Sequence, residues 1–214
     1  FKHYMILEDI KSFFDIEKNP KIIKKLPEMF YLAELENRKK NKLSPDIGNT
    51  RERILISIFE ELFGKENVND DLGPVEKEVD VEILKERYSI KTLTSKKPKG
   101  VKAVWTVDEG SVKKFVKKYK PTCSIIYVHI NWGEKGGIYL FDLNAQKKTI
   151  KKLGRDKNYF KIPKLDTNPR GVEFSKEAID ELIKLCNLKI EIDWNKPDIN
   201  FDPKQRWKEI WNSD

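Results

Sequence analysis

Two apolar, β-prone runs, residues 123–132 and 137–143, are separated by only four residues that include Gly133 and Gly136. Runs this rich in Ile, Val, Tyr and Phe, joined by a short glycine-containing turn, read as the central pair of strands in a buried sheet. Upstream, residues 79–84 and 87–94 alternate apolar and polar positions and are expected to form two more strands. Helical periodicity is expected over residues 5–14, 21–40, 50–63, 111–119 and 175–186, with Asn19-Pro20, Gly64 and Ser175 as boundary signals. Residues 188–214 read as a strand, a loop and a short Trp-rich helix, and no internal repeat is present. The order of helix, strands, helix and strands predicts an α/β (α+β) fold, a mixed central sheet flanked by helices. A helical region at 1–45 is expected to precede a core at 46–214.

Charge narrows the class of partner. The 214 residues carry 43 Lys+Arg against 35 Asp+Glu, a formal charge of +8. Residues 91–120 account for that excess by themselves, with ten lysines against Asp108 and Glu109. A second basic stretch, 147–161, has six lysines and Arg155 against Asp156. Clustering of this kind is the footprint of a polyanion, nucleic acid first; a solubilising lysine surface is the alternative. A membrane helix is disfavoured, because no run of 18 apolar residues exists and residues 113–120 lack a long apolar face. The start, Phe1-Lys2-His3-Tyr4, does not read as a signal peptide, and a cytoplasmic location is expected. Cys123 and Cys186 form no motif and are expected to be reduced core residues. With only His3 and His129, paired-histidine chemistry and Cys/His zinc sites are disfavoured. Carboxylates and lysines are left to carry any reaction.

One patch gathers them. If Lys85-Glu86 forms a hairpin tip, Asp80 is expected opposite Lys91 and Glu82 opposite Ser89, while Val79, Val81, Ile83, Tyr88 and Ile90 point to the other face. On the preceding helix Glu52 leads the apolar stripe of Leu55, Ile56, Phe59 and Phe63, so it is expected to point inward. An inward carboxylate is costly unless paired or bound to a metal. A capping box from Asn49 to Glu52 and an ordinary salt bridge between Asp80 and Lys91 are the structural alternatives. Glu82 reads as a solvated acid or an outer supporting group.

Helix-borne Glu52, then Asp80 on one strand 28 residues later, then Ser89-Ile90-Lys91 on the next, with Lys91 another 11 residues on, resembles the PD-(D/E)XK nucleases. Two positions depart from that pattern: Val79 stands where Pro is usual, and Ser89 replaces the second acid. Pro45-Asp46 spells the first half of the motif in a loop, away from the strands. The early helix with Gly48-Asn49-Thr50-Arg51-Glu52, together with the spacing, looks most like the ThaI group of type II restriction endonucleases. The resemblance implies a restriction-endonuclease-like fold, a Mg²⁺-dependent cut in double-stranded DNA at CGCG, and a homodimer whose two sites cut both strands of a palindrome. It implies Glu52, Asp80 and Lys91 as catalytic residues. Glu52, Asp80 and the backbone carbonyl of Ile90 would be the Mg²⁺ ligands.

Residues for DNA contact are expected around this core. Thr92, Thr94, Lys96, Lys97 and Lys99 continue from the catalytic strand; a mobile lysine loop is the alternative for each. Arg170, in Asn168-Pro169-Arg170-Gly171, suits a bidentate contact to guanine, or a surface ion pair with Glu173. Ile47, read as a loop tip close to Glu52, is either a wedge into the base stack or a staple onto the helix, and Asn49 beside it is an expected DNA contact. Gly137-Ile138-Tyr139 resembles half of a GIY-YIG motif but lacks its partner. His129, alternating with Tyr127 and Asn131, reads as a hydrogen-bonded sheet residue. A DNA repair or junction-resolving nuclease and a non-catalytic nucleic-acid-binding module are the competing functions.

Overall fold

The computed structural model describes residues 10–39, 42–44, 46–73, 78–104, 109–161 and 171–213. Residues 10–13 are helical, and the chain then runs through α1 (Lys21–Glu36), the short ribbon β1 (Arg38–Lys39) and β2 (Lys42–Leu43), and α2 (Ile47–Phe63). The strands β3 (Val68–Asn69), β4 (Val81–Ile83), β5 (Glu86–Thr94) and β6 (Lys102–Val104) follow, then α3 (Glu109–Lys118). The second half comprises β7 (Ser124–Ile130), β8 (Lys135–Phe141), α4 (Leu143–Leu153), β9 (Phe160–Lys161), β10 (Val172–Phe174), α5 (Lys176–Leu185), β11 (Leu188–Asp193) and α6 (Gln205–Asn212). The main sheet has the order β11-β8-β7-β5-β4-β3, and a small sheet has the order β6-β10-β9. Only β5 and β7 are parallel neighbours in the main sheet; the other pairs are antiparallel, which makes the sheet mixed as expected.

Alternation along the strands divides the interior into two cores. Val81, Ile83, Tyr88, Ile90, Ile126 and Val128 face one core, where Leu26 and Phe30 of α1 and Leu55 and Phe59 of α2 pack with Phe13. Ile125, Tyr127 and Phe141 face the other, against α3, α5 and the small sheet. Residues 10–36 thus share a core with the sheet. Among the described residues no helix is long and apolar enough to cross a membrane. Cys123 and Cys186 are free thiols.

The hairpin register differs from the sequence expectation. Val81 pairs with Tyr88, Glu82 with Arg87 and Ile83 with Glu86, so the tip is Leu84-Lys85 rather than Lys85-Glu86. Leu84 and Lys85 have φ of 52° and 71°, the left-handed pair of a tight two-residue hairpin turn that Asn-Gly usually supplies. Asp80 therefore lies level with Ser89, and Lys91 sits diagonally beyond. A slip of two residues keeps every side chain on its face, so Asp80, Ser89 and Lys91 remain together. Glu82 is ion-paired with Arg87 at 3.7 Å, the solvated role anticipated for it.

Two helical expectations and one strand expectation also shift. The helix read as 50–63 begins at Ile47 with Asp46 as its N-cap, so Ile47 lies in the first turn rather than at a loop tip, and no capping box forms at Asn49. The helix read as 21–40 ends at Glu36, where the β1–β2 ribbon takes over. The strand read as 137–143 runs from Lys135 to Phe141, because Asp142 caps an unanticipated helix, α4, by accepting from Ala145 N–H at 2.6 Å.

Beneath the sheet, Glu34 of α1 and Arg51 of α2 form a buried ion pair, each about 3% exposed. Arg51 Nη2 also donates to Thr94 Oγ1 at 2.8 Å, and its guanidinium lies 5.6 Å from the Phe30 ring centroid. Trp132 Nε1 donates to Glu34 Oε1 at 2.8 Å. Glu34→Gln, which leaves Arg51 buried without a countercharge, is expected to cost about 3–5 kcal/mol in urea unfolding, and the double change Glu34→Leu with Arg51→Met far less. At the exposed turn position, Lys85→Gly is expected to raise stability by about 0.5–1 kcal/mol, seen as a higher urea midpoint at unchanged m-value.

Candidate active site

Because β4 stops at Val81, residues 89–94 of β5 pair with β7 on one edge and have no strand on the other among the described residues. Asp80, extended just before β4, donates its N–H to the Tyr88 carbonyl at 2.9 Å and swings its carboxylate over that open edge. Asp80 Oδ2 accepts from Ile90 N–H at 2.6 Å, Lys91 Nζ at 2.9 Å and Ser89 Oγ at 3.0 Å. Three donors on one oxygen lock the carboxylate, and Oδ1 receives no hydrogen bond among the described residues. The Asp80 and Lys91 side chains are 20% and 18% exposed, open enough to meet a substrate and dry enough to act on it.

Glu52 enters from the opposite side. It stands in the second turn of α2, half-buried, beside the buried Arg51. Its carboxyl is pushed up from the ordinary 4.5 to about 7, first by burial and next by the negative charge of Asp80, with Lys91 pulling the other way. Asp80 and Glu52 are therefore close enough to repel and share Lys91 as a countercharge. Glu52, Asp80 and Lys91, expected from the sequence to converge, thus feel one another's charge.

A raised Glu52 carboxyl that feels the negative charge of Asp80 suits a divalent cation, whose charge would offset that repulsion. No group of three His, Cys, Asp or Glu side chains among the described residues forms a cage by itself. Two carboxylates without a third such ligand suit a hard divalent cation that keeps several of its waters.

Glu78, two residues before Asp80 on the same face, was not singled out from the sequence. It shares a small cavity with Ser89, Lys91, Tyr119 and Cys123. Its carboxyl is raised by burial and opposed by a hydrogen bond from Thr122 Oγ1 and by Lys91. The i, i+2 spacing to Asp80 is the signal that could have found it. Burial, with Glu78 and Asp80 adding to it, pushes the Cys123 thiol to about 12, which removes it as a nucleophile.

The other expected residues scatter around this centre. Ile47 is half-buried and Asn49 exposed on the first turn of α2. Thr92 is half-buried on β5, and Thr94 has its hydroxyl engaged by Arg51 and, at 3.4 Å, by Glu34. Lys96, Lys97 and Lys99 are exposed on the turn that leaves β5. Arg170 lies outside the described residues. His129 donates from Nε2 to the Ser95 carbonyl at 2.9 Å, the hydrogen-bonded role read for it.

A family profile described as "Restriction endonuclease ThaI" matches residues 13–213. Among solved structures, one titled "Restriction endonuclease in complex with substrate DNA" is similar with a TM-score of 0.87 and 39% identity, covering 96% of this chain and 98% of that one. No curated protein matches.

The raised Glu52 carboxyl predicts a pH dependence. Below pH 4.5 it is neutral in both folded and unfolded chain and costs nothing. Between 4.5 and 7 the unfolded chain ionises first, so stability falls as pH rises, and above about 7 the penalty is complete. Glu52→Gln in EDTA is expected to be more stable than the parent by about 1–3 kcal/mol at pH 8, with the gap closing toward pH 4. Thermal or urea unfolding across that range checks it.

Proposed function

Since the chain belongs to the restriction endonuclease ThaI family, and is thereby a type II site-specific nuclease, we propose that it cuts double-stranded DNA at CGCG in a Mg²⁺-dependent reaction. It would act as a homodimer in the cytoplasm, two-fold symmetry placing one site on each strand of the palindrome. Residues 1–45 would brace a nuclease core of 46–214. The observation that carries the reading is the meeting of Glu52 and Asp80 with Lys91 on the open edge of β5.

In this reading Glu52, Asp80 and the Ile90 carbonyl would hold the Mg²⁺. Within a strand, a residue's N–H and C=O point to the same side, and the Ile90 N–H already faces Asp80. Asp80 Oδ1, without a donor among the described residues, is the oxygen left for a cation. When bound, the ion would supply Lewis-acid stabilisation of the charge gathering on the scissile phosphate. Ser89 stands where the superfamily has its second acid and donates to Asp80, so Glu52 supplies the missing carboxylate. Lys91, steadied by Asp80, orients a water by hydrogen bonding and offsets negative charge on the phosphate.

Thr92, Lys96, Lys97 and Lys99 would meet phosphates along the path out of β5. Thr94, whose hydroxyl is engaged by Arg51 and Glu34, would contribute through its backbone. Asn49 and Ile47, in the turn that leads to Glu52, would face the duplex, with Ile47 as a wedge at a base step. Arg170 is proposed as a reader of guanine.

Digestion of a long duplex of known sequence with Mg²⁺ is expected to give discrete fragments ending at CGCG. Structure-dependent nicks would mean a repair nuclease, and intact but retarded DNA a binding module. Glu52→Ala, Asp80→Ala and Lys91→Ala are each expected to lower cleavage by more than about 10³-fold while retaining DNA binding. Wild-type cleavage by any of the three removes the mechanism.

A further inference from the structure

The basic turn that leaves β5, residues 95–100, is fastened along its backbone while its lysine side chains are exposed. Ser95 N–H donates to the Ile130 carbonyl at 3.0 Å, and the Ser95 carbonyl accepts from His129 Nε2 at 2.9 Å. Asn131 Nδ2 donates to the Lys96 carbonyl at 3.3 Å, and Ser95 Oγ donates to the Lys97 carbonyl at 2.7 Å. Tyr127 Oη donates to the Lys99 carbonyl at 3.0 Å and accepts from Lys99 N–H at 3.3 Å. The exit is closed as well. A Cβ at Gly100 would lie 1.9 Å from the Phe174 carbonyl oxygen, and Phe174 N–H donates to the Val101 carbonyl at 2.9 Å.

We infer that Tyr127 and His129 of β7, with Asn131 just beyond its end, are positioning residues for DNA binding, presetting the Lys96–Lys99 turn against the phosphate backbone. This rests on the DNA-cutting function proposed above. Tyr127 is fully buried and His129 is 3% exposed, so both act only through the turn. Hydroxyl and imidazole groups in a sheet core are costly without partners, and Phe or Leu would fill the space as well. Their polar ends are explained by the carbonyls they hold. A turn already in its bound shape forgoes the ordering cost that a free lysine loop would bear on binding.

Equilibrium binding to a CGCG duplex in EDTA, measured over a range of salt, tests the inference with Tyr127→Phe and the triple change Lys96→Ala, Lys97→Ala, Lys99→Ala. Tyr127→Phe keeps the ring packing and deletes only the hydroxyl. It is expected to weaken binding about tenfold and to reduce the salt slope by about 1–2, and in cleavage assays with Mg²⁺ the loss is expected in KM rather than kcat. Asn131→Ala, at a half-buried position, is expected to weaken binding about threefold to fivefold and guards against a fold defect in the first variant. Added to the triple variant, Tyr127→Phe is expected to cause no further loss. A weakened triple variant beside wild-type affinity and slope in both Tyr127→Phe and Asn131→Ala overturns the positioning role. A triple variant that binds like the parent overturns instead the reading that this turn meets DNA.

Discussion

The buried pair of Glu34 and Arg51 fixes where everything else can stand. Arg51 Nε is buried without a partner among the described residues, so the cost of removing the two charges from water is offset by their close geometry and the hydrogen bonds they do make. Here that requires α1 for Glu34, α2 for Arg51, β5 for the Thr94 hydroxyl and the turn after β7 for the Trp132 indole. Burial holds the Arg51 guanidinium below its usual range, with Glu34 opposing the shift. Rotation of α2 about its axis would break the whole set, so α2 has one allowed angle. Successive helical side chains are about 100° apart. With Arg51 committed to the core, Glu52 is turned to the rim where Asp80 and Lys91 lie.

Sequence periodicity made the trio visible and missed what holds it. Glu52 was legible because it leads a helical apolar stripe, and Asp80, Ser89 and Lys91 because they share strand parity. Parity also survived the wrong register. Leu84 and Lys85 adopt positive φ without the Gly or Asn that usually marks such a turn, so the tip was misplaced while every face was retained. Helix α4 stayed hidden because its lysines read as a basic stretch, and its clearest sign, the Asp142 cap, lies at the end of a strand. Glu34 and Arg51 were illegible for a general reason. A charge on a helix reads as solvated unless its partner is known, and the partners here are 17 residues apart on different helices.

Charge balance explains the departure at Ser89. Glu52, Asp80 and Glu78 all act on Lys91 or are drawn by it, and the first and last are kept above the ordinary carboxylate range by burial. A second acid at position 89 would add a further negative charge, level with Asp80, to a site where Lys91 already answers three carboxylates. A serine there gives the opposite sign of interaction, donating to the same Asp80 oxygen that the lysine holds. The hydroxyl therefore adds a second side-chain donor that orients the carboxylate. In the proposed mechanism Glu52 would then be the second anionic oxygen donor, which would tie the chemistry of the sheet edge to the buried pair that sets the angle of α2.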